Sequence, residues 1–196
     1  MPTPLSSPEA HLVFSGTLDV LFRKTLSAFM SPAIEAQLRA LGLDLSKPLE
    51  PAYPIAVLDS AMEVVALKGM AHLEKRAALR KIGELQVEAF AATFLGRATF
   101  QFLKLLSRER FLTRLTKSFR QANNFIESRV TPRPDGSFTV HLNDVGRFPE
   151  VFEGVLHAAF AAVGHQARVT EGRRDGVGCE YEIRFGSASA NTGGGA

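Results

Sequence analysis

FTVHLNDVGRFPEVFEGVLHAAFAAVGHQARVTEGRRDGVGCEYEIRF, residues 138–185, is the stretch whose reading decides the fold. Phe138, Val140 and Leu142 alternate with Thr139 and His141, the two-residue period of a half-buried strand. Phe148, Val151, Phe152, Val155, Leu156, Ala159 and Val163 then trace one helical stripe, which Gly164 ends. Residues 167–171 read as a strand and residues 173–176, Arg-Arg-Asp-Gly, as a hairpin turn. Cys179, Tyr181, Ile183 and Phe185 alternate with Glu180, Glu182 and Arg184 in a last strand. One more strand is expected upstream, at 126–130, before the turn Pro132-Arg133-Pro134-Asp135-Gly136. The order β-β-α-β-β predicts an antiparallel sheet with one helix on its buried face.

Outward from that stretch, the period changes to helical. Helices are expected over about 17–30, 32–41, 54–69, 70–93, 95–106 and 108–121. Ser31-Pro32 reads as an N-cap with proline at the first helical position, and Ser107 as a second N-cap. Pro-punctuated residues 43–53 connect helices. The expected fold class is therefore α+β: an N-terminal bundle of about six helices packed on the C-terminal sheet. A single domain is expected over 12–185, with a helical part at 12–122 and the ββαββ part at 123–185. Residues 1–11, with Pro2, Pro4 and Pro8, and the small polar residues 186–196 read as flexible ends.

The chain has 196 residues, 45% hydrophobic and 22% charged, a globular composition. One cysteine, Cys179, excludes an internal disulfide framework and a multi-cysteine metal site. It is expected on the core side of its strand. Without a basic and apolar leader, the chain is expected in the cytoplasm. No uninterrupted apolar run is long enough for a transmembrane helix; the richest, 94–106, is broken by Arg97, Gln101 and Lys104.

No GxGxxG, P-loop, HExxH or GxSxG motif occurs, and the five histidines, His11, His72, His141, His157 and His165, are scattered. With no nucleophile–base or metal constellation, the chain is expected not to be an enzyme, and no metal site is expected. The polar junction Asn143-Asp144-Val145-Gly146-Arg147 reads as a helix entry, with Asp144 capping and Gly146 supplying the bend.

Two features carry the functional expectations. Six of the 15 phenylalanines lie in residues 94–125. Apolar and aromatic groups line ligand pockets, so Phe94, Arg97, Phe102, Phe111, Phe125 and Phe152 are the pocket candidates for a small apolar ligand held between helices and sheet. The net charge is −3 over 1–67, +8 over 68–129 and −2 over 130–196. Lys75, Arg76, Arg80, Lys81, Arg110, Arg114 and Lys117 form the candidate basic patch. The leading expectation is a non-catalytic sensor or adaptor module that signals through protein contacts. A protein-interaction subunit without a ligand, as a homodimer or scaffold, is the alternative. Binding of nucleic acid or an anionic surface through the basic helices is the weaker one, since no nucleic-acid motif accompanies the charge.

The motifs VFSGTLDVLF (13–22), GLDLSKPLEPAYP (42–54), FLGRATFQFLKLL (94–106), NNFIESRV (123–130) and FPEVFEGVLHAAFAAVG (148–164) resemble a paralogous myxobacterial family of unknown function. The strand–polar turn–helix–strand–hairpin–strand order is similar, more distantly, to the superfamily of heme nitric-oxide/oxygen-binding domains, vinyl-reductase-type sensor domains and TRAPP subunits. That resemblance implies helices packed on a sheet and a ligand-binding sensor. Its heme-binding members carry a Tyr-x-Ser-x-Arg clamp at the strand-to-helix junction, where only Arg147 corresponds. Its lipid-carrying members acylate a cysteine in the helical part, whereas Cys179 is on the last expected strand. No cofactor is therefore predicted; heme and lipid lack their motifs here.

Overall fold

A computed structural model describes residues 10–186. Its larger sheet has four antiparallel strands: β3 (Ser128–Pro132), β4 (Phe138–Leu142), β5 (Ala167–Asp175) and β6 (Gly178–Phe185), in the order β3-β4-β6-β5. Val140 pairs with Tyr181, Leu142 with Cys179, and Val169 with Ile183. All six are buried on one face, while Thr139, His141, Glu180 and Glu182 occupy the other. Helix α7 (Pro149–Ala162), which joins β4 to β5, covers the buried face. The α+β class and the ββαββ order are as the alternation implied.

The helical part holds α1 (Ser15–Leu18), α2 (Pro32–Ala40), α3 (Ile55–Val64), α4 (Lys75–Ala91), α5 (Phe94–Leu103) and α6 (Arg108–Lys117). A π-helical turn, Asp19–Thr25, continues α1, and another, Val65–Gly69, continues α3. Ser31 and Ser107 cap as expected: the Ser31 hydroxyl accepts from the Ile34 N–H at 3.3 Å, and that of Ser107 from the Arg110 N–H at 3.4 Å. Gly42, at φ +90°, ends the turn after α2 in a conformation that suits glycine.

Several boundaries differ from the sequence reading. The helix expected over 70–93 starts only at Lys75, because the Leu73 N–H donates to the Met70 carbonyl at 2.9 Å in a turn and Glu74 is extended at ψ 144°. The strand expected at 126–130 begins at Ser128. The Asn123 side-chain oxygen accepts from the N–H groups of Phe125 and Ile126, at 3.1 and 2.8 Å, and holds that segment in a turn. The last hairpin turns at Gly176, φ +60°, so β5 runs through Arg173 and Arg174. An unexpected two-stranded ribbon pairs β1 (Leu12–Phe14) with β2 (Ala52–Pro54). It ties the chain start to the entry of α3, with the Ile55 N–H donating to the His11 carbonyl at 3.0 Å. Most of the two segments expected to be flexible, residues 1–9 and 187–196, lies outside the described residues.

Helix α4 crosses α7 at backbone contact. A Cβ on Gly83 would stand 1.9 Å from the Val151 carbonyl oxygen, and one on Gly154 would stand 2.0 Å from that of Arg80. The helical part is thereby fastened to the sheet through α7, and Phe111 of α6 meets Phe160 of α7 at 5.1 Å between ring centroids.

Candidate functional site

The junction between β4 and α7 is the most polar place inside the fold. Asp144 is buried at 4% exposure; its carboxylate accepts from the Gly146 N–H at 2.7 Å and lies 2.6 Å from His11 Nδ1. It caps this turn and not the helix: α7 starts at Pro149, with no side-chain cap at Phe148. Proline at the first helical position removes one of the N–H groups a cap would satisfy. Asp59 of α3, 3% exposed, takes the role expected of Asp144 at this entry by accepting from the Arg147 N–H at 3.0 Å. Burial pushes its carboxyl up to about 6, against the opposing pull of that hydrogen bond and of the Arg147 charge. Gly146 has φ +60°, and a Cβ there would lie 2.7 Å from Asp59 Oδ2. The Arg147 guanidinium reaches Glu63 at 3.0 Å. Glu63 also pairs with Lys75, whose ammonium is the main cause holding its carboxyl below the ordinary range. Lys75 and Arg147 both lie over the Phe148 ring, at 5.2 and 5.1 Å.

The candidate basic residues divide into two groups. On α4, Arg76 pairs with Glu171 at 2.8 Å, Glu153 at 3.4 Å and Glu150 at 3.6 Å. Arg80 pairs with Glu153 at 3.1 Å and Glu84 at 3.4 Å, and Lys81 with Glu84 and Glu88 at 3.3 and 3.2 Å. With Lys75 on Glu63, this half of the expected patch is neutralised by acids of α3, α4, α7 and β5. On α6, Arg110, Arg114 and Lys117 are exposed and have no acidic partner within 4.0 Å among the described residues. These three, with Phe102, Leu106 and Glu109, line a surface groove of about 470 Å³.

The pocket candidates do not converge. Phe111 is buried against Phe160, Phe125 stacks on His11 at 4.7 Å, and Phe152 is half-buried against Phe119 at 5.5 Å. Phe94 and Phe102 stand in solvent. Arg97 donates to the Ala92 carbonyl at 2.6 Å, closing the end of α4. Thr93 caps α5 by accepting from the Gly96 N–H at 2.9 Å, and Phe100 packs back on Phe90 of α4 at 6.0 Å between ring centroids. The inner side of α5 is Gly96, Phe100 and Leu103. Its outer side carries Phe94 (83% exposed), Leu95 (67%) and Phe102 (55%), continued by Leu105 (82%). Sequence reading offered Phe94 and Phe102 as pocket residues; their i, i+8 spacing, with Ala98 between them at i+4 and a second apolar face opposite, was the signal for a surface. A further groove of about 650 Å³, lined by His157, His165, Arg168, Arg184 and Phe185 among others, had no sequence signal because it joins the end of α7 to two strands.

Residues 11–185 match a family described as Protein of unknown function (DUF2378). The chain belongs to this family. No curated protein matches it. Solved structures similar to this DUF2378 chain are H-NOX proteins. One, from S. oneidensis in the Fe(II)NO ligation state, has TM-score 0.63 at 11% identity, covering 87% of this chain and 98% of that one. A Cs H-NOX mutant with 4-cyano-L-phenylalanine has TM-score 0.62 at 12% identity, covering 88% and 96%. An oxygen-binding H-NOX domain related to soluble guanylate cyclases has TM-score 0.60 at 15% identity, covering 87% and 94%. The DUF2378 chain thus has the H-NOX-like fold.

Heme, which that fold family implies, does not fit the residues of this DUF2378 member. Arg147, the one counterpart of the clamp, is held by Glu63 in a setting with Asp59 and Asp144. Three carboxylates there oppose the anionic propionates of a heme. No histidine occurs between residues 73 and 140, so α5 and α6 offer no imidazole ligand. Among the described residues no group of three or more His, Cys, Asp or Glu side chains could hold a metal ion. Cys179 is buried, and burial pushes its thiol up, as suits a packed residue and not a nucleophile. No helix among the described residues is long and apolar enough to cross a membrane.

Proposed function

We propose that this chain is a non-catalytic sensor or adaptor module that acts by docking through the outer face of α5 and the adjoining face of α6, without heme. The observation that carries this reading is the row of large apolar side chains, Phe94, Leu95, Phe102 and Leu105, exposed on one side of a helix whose other side is already packed. Exposed apolar patches of this kind mark interaction sites. The ion pairing of Lys75, Arg76, Arg80 and Lys81 supports the same division of labour: α4 fastens the fold together, and α6 keeps its charge for an external contact.

Ala98 lies in the middle of the outer face and is exposed. In an Ala98→Cys variant, the new thiol reacts rapidly with a soluble maleimide in the purified protein, and the buried Cys179 gives a low background. Inside cells the thiol at position 98 is protected several-fold if this face is docked. Equal labelling in cells and in the purified state would overturn the reading.

A further inference from the structure

The docking face has a composition that selects among occupants. Phe94, Leu95, Ala98 and Phe102 recur at i, i+1, i+4 and i+8, a single stripe on a helix of 3.6 residues per turn, and Leu105 in the turn that follows continues it. Gly96, Phe100 and Leu103 form the opposite, buried side. Arg97 and Lys104, at i+3 and i+10, run along one edge of the stripe. Beyond Phe102, on the other edge, lie Arg110, Arg114 and Lys117. Between residues 89 and 126 there are seven basic residues and one acid, Glu109.

We propose that this surface seats on an anionic lipid bilayer, with the α5 stripe entering the headgroup region and the flanking cations on lipid phosphates. This deepens the docking reading and rests on it. Three observations favour a lipid surface. Phe94, Leu95 and Leu105 project outward, outside the groove that Phe102 shares with Arg110, Arg114 and Lys117, as insertion into a soft interface requires. Lysine and arginine beside the stripe can lay their stems along it and keep their charges at the phosphate level. The charge is of one sign, with almost no acid to fix the register of a protein partner. A second copy is disfavoured by the same charge. A two-fold contact of this face with itself would bring Arg97, Lys104, Arg110, Arg114 and Lys117 against their own equivalents.

The test is sedimentation of the full chain with vesicles of phosphatidylcholine alone and of phosphatidylcholine mixed with phosphatidylglycerol. Binding is expected only to the mixed vesicles, weakening as salt rises. Reversing Arg110→Glu, Arg114→Glu and Lys117→Glu together should lower it by about 100-fold or more. Phe94→Ser with Leu105→Ser should lower it by about tenfold or more. All five positions are exposed, and circular dichroism checks that the variants fold. Equal behaviour with both vesicle types, or undiminished binding by either variant, would overturn the proposal. So would retention on a nucleic acid or on a defined protein with no vesicle binding. If vesicles are not bound but the thiol at position 98 remains protected in cells, docking stands and the lipid fails. If neither is seen, both fail.

Discussion

Asp59 is an acid placed where acids are rarely left, inside the fold and near Asp144, with only a backbone N–H and the Arg147 charge to favour its ionised form. Its carboxyl is raised from 3.8 to about 6. The folded state therefore holds a proton that the unfolded chain releases near pH 4. The resulting stabilisation is complete below the unfolded value and is lost as pH rises through about 6. Its size is at most about 3 kcal/mol. Asp59→Asn keeps an oxygen for the Arg147 N–H and removes the titration. Urea unfolding between pH 4 and 7 should show a falling stability for the wild type and a flatter one for the variant. Parallel profiles would show that Asp59 ionises without cost. Nothing in the sequence marks this residue, since an aspartate in IAVLDSAM fits an ordinary amphipathic helix. What makes it unusual is the loop at 143–147 arriving above it from 88 residues away.

At the scale of elements, the fold depends on how closely α4 and α7 approach. Gly83 and Gly154 face each other's helices, and in each the missing side chain is replaced by a carbonyl oxygen of the partner helix. On an isolated helix, Gly→Ala stabilises by about 1 kcal/mol. Here Gly83→Ala or Gly154→Ala should instead destabilise by about 1–3 kcal/mol, since a backbone neighbour cannot step aside as a side chain can. Denaturant melts would register the sign directly; a gain in stability at either position would mean that the helices can slide apart. The ion pairs of Arg76 and Arg80 to Glu153 bridge the same crossing. The sequence displayed these arginines as a basic face of α4. It could not show that α7 and β5 would present Glu150, Glu153 and Glu171 to them, because that pairing depends on which face of α7 the sheet leaves free.

For the whole molecule, the H-NOX-like fold and the heme question separate. The layers match those of H-NOX domains, one in an Fe(II)NO ligation state and one described as oxygen-binding, while the Tyr and Ser positions of the clamp hold Asn143 and Val145. Mixed with hemin and reduced, the protein should give no stoichiometric heme absorbance band, and its melting temperature should not rise. A one-to-one complex with a sharp band would reverse that conclusion and would require Arg147 to leave Glu63. The same view of the molecule places its two charge populations. Cations near the centre of the fold are consumed in internal pairs, and those at the α5–α6 end are left to solvent, beside a helix whose outer apolar side is uncovered among the described residues.

The order of elements, the class and the inward rows of the sheet were determined by local sequence. The period-two runs at 138–142 and 179–185 and the helical stripe at 148–163 each state their own buried face, because burial of one face is what sets their period. Caps at Ser31 and Ser107 were legible for a similar reason, the partner lying three residues away. The tertiary structure alone decided which phenylalanines are core and which are surface, which cations are paired, and which aspartate receives the entry to α7. Each of these is a relation between residues far apart in the chain. An apolar stripe on α5 reads the same whether a neighbouring helix covers it or not; only the packing of Gly96, Phe100 and Leu103 against the body shows that the other stripe, Phe94 to Leu105, has nothing among the described residues to bury against.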